Sequence, residues 1–151
     1  MNKKTRIAIN GFGRIGRIFF RYAFGHPDFE IVAINDLGSV ENLAYLLKYD
    51  TVYGRYEKSV EIAGGKLKVE GYEISVICEK DPGALPWKNM DIDIVVESTG
   101  VFESKDEAEP HITAGAKRVV ITAPAKDDVT PTSTPNVGEE FLKLYKITSN
   151  A

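Results

Sequence analysis

A glycine-rich turn between a strand and a helix is the most constraining feature of this sequence. Residues 10–16 read N-G-F-G-R-I-G and contain the pattern G-x-G-x-x-G. They follow the segment 5–10, whose consecutive apolar residues are typical of a strand covered on both faces of a parallel sheet. Gly11 permits the tight turn, Gly13 lets the backbone approach a pyrophosphate, and Gly16 allows close packing of helix on strand. Because the N–H groups at a helix start attract anions, this context predicts a dinucleotide site rather than a purely steric use of glycine.

An acidic residue at the end of the second predicted strand supports this interpretation. Asp36 closes the segment F-E-I-V-A-I-N-D and follows Gly16 by about 20 residues, the separation that the dinucleotide fingerprint requires. Its carboxylate is expected to accept hydrogen bonds from the adenosine ribose, and its charge would repel a 2′-phosphate. The sequence therefore predicts NAD rather than NADP. The alternative is a turn-forming aspartate before Gly38.

The rest of the chain alternates between strand-like and helix-like segments. A stripe at helical spacing follows the glycine turn and comprises Ile15, Ile18, Phe19, Tyr22 and Ala23. A second helix is expected at 39–49, with Ser39 as its N-cap, and further strands are expected at 91–97, 117–122 and 145–149. A third helix begins at Ser104, where Ser104 and Glu107 have capping-box spacing. Pro110 should kink or break that helix.

The region from residue 56 to residue 77 has a different pattern. Two runs of alternating apolar and polar residues flank Gly64-Gly65, which predicts a hairpin, and a third run follows Gly71. The predicted fold is therefore an α/β, doubly wound, Rossmann-type, mostly parallel sheet with a small antiparallel insertion around residues 56–77. Residues 124–138 are expected to form a loop, and 141–144 a short helical turn.

Polar or small residues end two more of the predicted strands. Ser98-Thr99-Gly100 follows one strand, and Thr122 ends the next. In a doubly wound sheet, these strand ends share one crevice with the glycine turn. Small residues there would allow a flat cofactor to lie across the sheet edge. For each of these residues taken singly, ordinary strand-end turn chemistry is the alternative.

Composition excludes several classes of protein. The 151 residues fit one domain, the formal net charge is −3, and no apolar run approaches the ~18 residues of a membrane helix. We expect no nucleic-acid or membrane partner, although Arg14, Arg17 and Arg21 share one helical face. The single cysteine excludes a disulfide framework, and no metal site is expected. A chain that starts Met1-Asn2-Lys3-Lys4 without an apolar leader is expected to be cytoplasmic.

Taken together, these motifs resemble the N-terminal half of the phosphorylating glyceraldehyde-3-phosphate dehydrogenase family. The strings that carry the resemblance occur in the family's order and spacing: I-A-I-N-G-F-G-R-I-G-R (7–17), V-A-I-N-D-L (32–37), Y-L-L-K-Y-D-T-V-Y-G-R-Y (45–56), E-S-T-G-V-F (97–102), A-G-A-K-R-V-V-I-T-A-P-A-K-D (114–127) and T-S-N-A (148–151). The resemblance is weakest between 128 and 146. It implies that residues 1–151 form the dinucleotide-binding domain.

The resemblance also implies a cofactor site. Backbone N–H groups of Arg14 and Ile15 would bind the pyrophosphate, and Leu37 would lie beside the adenine and favour NAD over NADP. Lys80 stands where many members have arginine, and it lacks the stacking surface of a guanidinium. The implied cofactor-binding residues are Asn10, Gly11, Phe12, Gly13, Arg14, Ile15, Gly16, Asn35, Asp36, Leu37, Lys80, Ser98, Thr99, Gly100, Phe102 and Thr122.

No catalytic residue is expected in this chain. The family's catalytic cysteine follows the S-N-A string with which this sequence ends, and its base histidine and substrate-phosphate residues lie further on. Cys78 is interpreted as a small buried hydrophobe, and His26 and His111 as structural or solvated. The catalytic domain is therefore expected to be absent, and the chain alone to be inactive.

The function implied by resemblance is to bind and position NAD in a glycolytic enzyme that oxidises the aldehyde with NAD and phosphate to an acyl phosphate. Its partners would be NAD and the catalytic domain, within a homotetramer. Two alternatives stay open at this point: a stand-alone, non-catalytic nucleotide-binding module, and the same domain of an erythrose-4-phosphate dehydrogenase.

Overall fold

A computed structural model describes residues 3–134 and 146–150 of the chain. Three helices and nine strands lie in these residues. The helices are α1 (Arg14–Ala23), α2 (Val40–Lys48) and α3 (Lys105–Thr113). The strands are β1 (Thr5–Asn10), β2 (Phe29–Asn35), β3 (Val60–Ala63), β4 (Lys66–Val69), β5 (Tyr72–Ile77), β6 (Ile94–Glu97), β7 (Arg118–Ile121), β8 (Thr132–Ser133) and β9 (Ile147–Asn150). A 3-10 turn at Pro82–Ala84 precedes β6.

The strands form one sheet in the order β3-β4-β5-β2-β1-β6-β7-β9-β8. The pairs from β5–β2 across to β9–β8 are parallel, whereas β3–β4 and β4–β5 are antiparallel. This confirms the predicted mostly parallel α/β sheet and its small antiparallel insertion. Strand β5 belongs to both parts, because it pairs antiparallel with β4 on one edge and parallel with β2 on the other.

The hairpin between β3 and β4 turns at the predicted dipeptide. Gly64 and Gly65 have φ values of +58° and +75°, which is the conformation that a two-residue type I′ turn requires of both central residues. The prediction of a Gly-Gly hairpin is therefore confirmed.

Two apolar layers cover the two faces of the sheet. Helices α1 and α2 pack on one face with Ile7 and Ile9 of β1, while Ala8 between them faces the other layer. That second layer contains Trp87, Leu85 and residues of α3. Alternate residues of β1 thus enter different cores, which explains why the strand reads as a continuous apolar run.

The predicted apolar stripe on α1 is confirmed only in part: Ala23 is buried and Phe19 packs against the core, but two other members are exposed. Ile15 is 51% exposed and Tyr22 is 81% exposed, whereas Gly16, Phe20 and Ala23 are the buried residues. A Cβ on Gly16 would stand 3.2 Å from Ile9 Cγ2, so the face that bears Gly16 is the one that meets β1. The centre of the buried face was misplaced because a glycine carries no hydrophobic signal, although Gly16 marks the closest approach to β1.

Of the kink or break predicted at Pro110, the break is wrong, because α3 continues through it to Thr113. Proline removes one backbone donor. The first turn is held by the predicted capping box, in which Ser104 accepts from the Glu107 N–H and Glu107 accepts from the Ser104 N–H. Past the proline, the N–H of Ala114 donates to the Pro110 carbonyl at 2.9 Å, so the helical turn closes.

Several predicted boundaries shift. Helix α2 begins after its predicted N-cap, and the Ser39 hydroxyl accepts from the Asn42 N–H. Strand β6 starts at Ile94 because Asp91, at φ +49°, lies in a turn. The predicted loop 124–138 contains the short strand β8, and its residues 135–138 lie outside the described part, as does the predicted turn 141–144. The last strand is confirmed as β9.

Candidate cofactor cleft

A cleft of about 770 Å³ opens at the carboxyl ends of β1, β2 and β6. In a doubly wound sheet this edge is where ligands bind. Ten of the residues predicted from the sequence line it: Asn10, Gly11, Gly13, Asn35, Asp36, Leu37, Lys80, Ser98, Thr99 and Phe102. The predicted residues that do not line it are Phe12, Arg14, Ile15, Gly16, Gly100 and Thr122.

Four residues that line the cleft were not predicted as site residues. They are Glu79, Asp81, Pro82 and Val101. The first three follow β5, which the sequence places only in the antiparallel insertion. The signal for them was the acidic string E-K-D-P directly after an apolar segment, but its relevance depends on β5 pairing parallel with β2.

The glycine turn closes against the end of β6. Gly11 has φ +87°, and a Cβ on it would lie 2.7 Å from the Thr99 nitrogen, so only glycine fits between the two loops. Gly13 is the N-cap of α1 and has no atom within 4 Å of the position a Cβ would take. The backbone at Gly13 is therefore open to a ligand beside the N–H groups of the first turn of α1.

Asp36 ends β2 and supports the glycine turn directly. Its Oδ2 accepts from the Phe12 N–H at 2.7 Å, and its Oδ1 accepts from the Gly38 N–H at 2.8 Å. Each oxygen keeps further acceptor capacity toward the cleft that it lines. Asp36 thus forms the turn that was its alternative interpretation and also lines the cleft, so the two roles do not exclude each other.

The cleft has both apolar and polar lining residues. Leu37 and Val101 are exposed apolar side chains that line it. The Ser98 hydroxyl is buried and has no hydrogen-bond partner among the described residues. Because a buried hydroxyl without a partner is costly, this orphan oxygen is an observation that fits a polar ligand in the cleft.

Arginine side chains lie behind the glycine turn. Arg17 donates from Nη1 to the Phe12 carbonyl at 2.9 Å, which ties α1 to the turn. Burial lowers the pKa of Arg17 from its ordinary value. The charge of Asp50 opposes this shift, and the charges of Arg14 and Arg21 reinforce it.

Arg21 stacks its guanidinium over the ring of Tyr56, 5.1 Å from the ring centroid. Burial raises the pKa of Tyr56 to about 12.

A buried polar cluster forms the floor of the cleft. Glu97, the last residue of β6, is 2% exposed, and His111 of α3 is fully buried. His111 Nε2 lies 2.9 Å from Glu97 Oε2, and Asn10 Nδ2 donates to the same oxygen at 2.6 Å. The interpretation of His111 as structural is confirmed. Glu97 is not among the site residues predicted from the sequence, although an acid that ends an apolar strand was a usable signal.

The interpretation of Cys78 as a buried hydrophobe is wrong. Strand β5 ends at Ile77, and the thiol of Cys78 is exposed. The apolar run ended one residue earlier than expected because the chain turns there toward the cleft. His26 is exposed and stacks on Phe29 with 4.7 Å between ring centroids.

Within residues 3–134 and 146–150, no three His, Cys, Asp or Glu side chains are grouped to hold a metal ion. In the same part of the chain, no helix is both long and apolar enough to cross a membrane.

Comparison with known families gives one assignment. The family model described as glyceraldehyde 3-phosphate dehydrogenase, NAD binding domain, matches residues 5–105. This range contains β1 through the start of α3, and it includes every residue that lines the cleft.

Individual relatives agree with this assignment. A protein named cytosolic glyceraldehyde-3-phosphate dehydrogenase from Trypanosoma brucei brucei is 53% identical over 146 residues, which are 97% of this chain and 44% of that protein. A glyceraldehyde-3-phosphate dehydrogenase of Thermotoga maritima is 54% identical over 129 residues, 83% of this chain and 39% of that protein. The enzyme of that name from Geobacillus stearothermophilus is 48% identical over 148 residues. The chain thus spans less than half the length of these relatives.

Proposed function

The chain belongs to the glyceraldehyde 3-phosphate dehydrogenase family through its NAD-binding domain, and from this premise we propose that residues 1–151 form a dinucleotide-binding domain with NAD in the cleft. The observation that carries the proposal is the convergence of the glycine turn, Asp36 and the Ser98-Thr99 strand end on one cleft of about 770 Å³. A cleft of that size lies within the ~300–1,000 Å³ of typical small-molecule sites.

The pyrophosphate would lie over the glycine turn. Gly13 leaves the backbone accessible, and the N–H groups of Arg14, Ile15 and Gly16 supply donors at the start of α1, while the Phe12 N–H is held by Asp36. No acidic residue stands in the first turn of α1 to oppose an anion. Residues whose side chains do not line the cleft would in this way still bind the pyrophosphate through their backbone N–H groups.

The adenosine would lie toward β2 and the segment after β5. Asp36 would accept from the ribose hydroxyls, and its charge disfavours the 2′-phosphate of NADP. Leu37 offers an apolar surface to the adenine, and Lys80 lies on the same rim. The remaining cofactor contacts are assigned to Asn10, Asn35, Ser98, Thr99, Gly100, Phe102 and Thr122.

The activity of a complete enzyme is proposed from its relatives. NAD, when bound, supplies the hydride acceptor. We propose that the whole protein is a phosphorylating, cytoplasmic glyceraldehyde-3-phosphate dehydrogenase of glycolysis, in which this domain holds the cofactor and a separate catalytic domain supplies the nucleophile within a homotetramer. No residue of the 151 is assigned a catalytic role.

The test is a calorimetric titration of this chain with NAD, NADP and ATP. We expect NAD to bind more tightly than NADP or ATP. Glu61→Gln, an exposed charge removal on β3 away from the cleft, should leave all three affinities unchanged. A chain that fails to bind NAD at millimolar concentration, while folded by circular dichroism, would contradict the proposal.

A further inference from the structure

A hydrogen-bonded chain of buried side chains runs beneath the cleft, from the core layer that contains Trp87 to the end of β2. It passes from Trp87 through His111 and Glu97 to Asn10 and Asn35. All five side chains are at most 5% exposed. Two of them, Asn10 and Asn35, also line the cleft. Because buried polar groups require partners, the donor and acceptor roles along this chain can be worked out from its ends.

One end is Trp87, whose indole N–H can only donate. Its Nε1 lies 3.0 Å from His111 Nδ1, so that ring nitrogen must be the acceptor. The imidazole proton of a neutral His111 is therefore on Nε2. This N–H is directed at Glu97 Oε2, 2.9 Å away.

The other end is the backbone of Glu79. Its N–H donates to Asn35 Oδ1 at 2.9 Å, which fixes the Asn35 amide so that Nδ2 donates to the Glu79 carbonyl at 2.8 Å and to Asn10 Oδ1 at 2.7 Å. The Asn10 amide is then fixed as well, and its Nδ2 donates to Glu97 Oε2 at 2.6 Å.

Both ends therefore deliver donors to one carboxylate. Asn10 Nδ2 and His111 Nε2 are 3.3 Å apart and share Oε2 of Glu97, while the N–H and hydroxyl of Thr99 donate to Oε1. Four donors meet the two oxygens, and a carboxylate can accept on both. A neutral glutamine would place its NH₂ group against at least one of these donors.

We propose that Glu97 and His111 are positioning residues for the dinucleotide, which hold the amides of Asn10 and Asn35 and the loop at Thr99 in one orientation at the floor of the cleft. The inference rests on the proposed function and deepens it. An amide side chain can present either its oxygen or its nitrogen to a ligand. The directed network removes that choice, so the cofactor meets one fixed pattern of donors and acceptors.

Two substitutions of His111 separate positioning from space filling. Glutamine carries an acceptor and a donor, so in His111→Gln the side chain accepts from Trp87 and donates to Glu97. His111→Leu fills a similar volume with neither group. We expect His111→Gln to bind NAD within about threefold of the unchanged chain and His111→Leu to bind roughly tenfold more weakly or worse. If His111 only filled the core, the leucine variant would bind at least as well as the glutamine variant.

A third variant tests the carboxylate. Glu97→Gln should weaken NAD binding by about tenfold or more, whereas Glu61→Gln removes an exposed carboxylate and should change nothing. Binding is measured by calorimetry on variants shown to be folded by circular dichroism. Equal NAD affinities of the unchanged chain, Glu97→Gln and His111→Leu would overturn the proposal.

The direction of the network has a readout independent of NAD. Nitrogen-15 spectra distinguish the two imidazole tautomers, and the exposed His26 supplies the comparison signal in the same spectrum. We expect the Nε2–H tautomer for His111 and two slowly exchanging side-chain amides from Asn10 and Asn35. An Nδ1–H tautomer for His111 would overturn the inference even if a variant failed to fold. If the unchanged chain bound no NAD, the proposed function would fail, and the tautomer would still decide the direction of the network.

Discussion

The carboxylate of Asp36 accepts the backbone N–H of Phe12 at 2.7 Å, so the acid at the end of β2 holds the glycine turn that follows β1. The two parts of the dinucleotide fingerprint are thus in direct contact. Asp36, which is proposed to bind the ribose, therefore also holds the loop that is proposed to bind the pyrophosphate. Changes at Asp36 should therefore act on both regions.

Substitution of Asp36 tests this dual role. Asp36→Gly removes the proposed ribose acceptor, the repulsion of a 2′-phosphate and the bond to Phe12. NAD affinity should fall by roughly tenfold to a hundredfold, and the ratio of NADP to NAD affinity should rise. Asp36→Asn retains one acceptor oxygen. Its NAD affinity and its ratio of NADP to NAD affinity should therefore lie between those of the unchanged chain and those of Asp36→Gly. Calorimetric titration with both cofactors measures the ratio, and an unchanged ratio would contradict the assigned role.

Two glycines of the turn should separate stability from binding. A Cβ on Gly16 would lie 2.2 Å from the Gly11 carbonyl oxygen, so Gly16→Ala should lower the free energy of unfolding by about 1–3 kcal/mol or more. Gly13 has φ −70° and open space, so Gly13→Ala should retain the unfolding midpoint. The methyl group would stand where the pyrophosphate is proposed to approach, and NAD should bind about tenfold more weakly. Urea unfolding and calorimetry measure the two effects. A Gly13→Ala chain that binds NAD normally would place the pyrophosphate elsewhere.

Asp127 should make stability depend on acid pH. The backbone N–H of Lys105 donates to its carboxylate, as do the N–H and hydroxyl of Thr130 and the N–H of Val129, and these bonds lower the pKa of Asp127 to about 2. Because this pKa is lower in the folded chain than its ordinary value of 3.8, the stabilisation is complete above that value and is lost as the pH falls toward 2.

The measurement compares Asp127→Asn with the unchanged chain. The difference between their urea midpoints should be constant above about pH 5 and shrink between pH 4 and pH 2. Asp128→Asn, at the neighbouring exposed position, is the matched control and should shift the midpoint little at any pH. A difference for Asp127→Asn that is independent of pH would exclude this source of acid sensitivity.

Cys78 should behave as a surface thiol. Its side chain is exposed after the end of β5, so a thiol reagent should modify it fully in the folded chain. Cys78→Ser should change the free energy of unfolding by less than about 0.5 kcal/mol. Slow modification that requires urea would show that the thiol is buried after all.

The elements that depend on residues close together in the sequence were predicted correctly. The Gly64-Gly65 hairpin, the Ser39 cap and the capping box at Ser104 depend on residues within a few positions of one another. The errors arose where distant contacts decide. The buried face of α1 follows from the approach of Gly16 to β1, and α3 continues through Pro110 with its first turn capped and His111 fixed in the core.

The candidate site divides in the same way. The glycine turn, the acid at its required separation and hence the class of ligand could be predicted from the sequence alone, because each depends on residue type and spacing along the chain. That E-K-D-P forms a wall of the cleft, and that Glu97 and His111 lie beneath it, depends on the tertiary structure. Parallel pairing of β5 with β2 creates the first relationship, and the packing of α3 on β7 and β9 creates the second. The role of a buried hydrogen-bonding group depends on which donors surround it, and that set is assembled only when strands and helices distant in sequence come together.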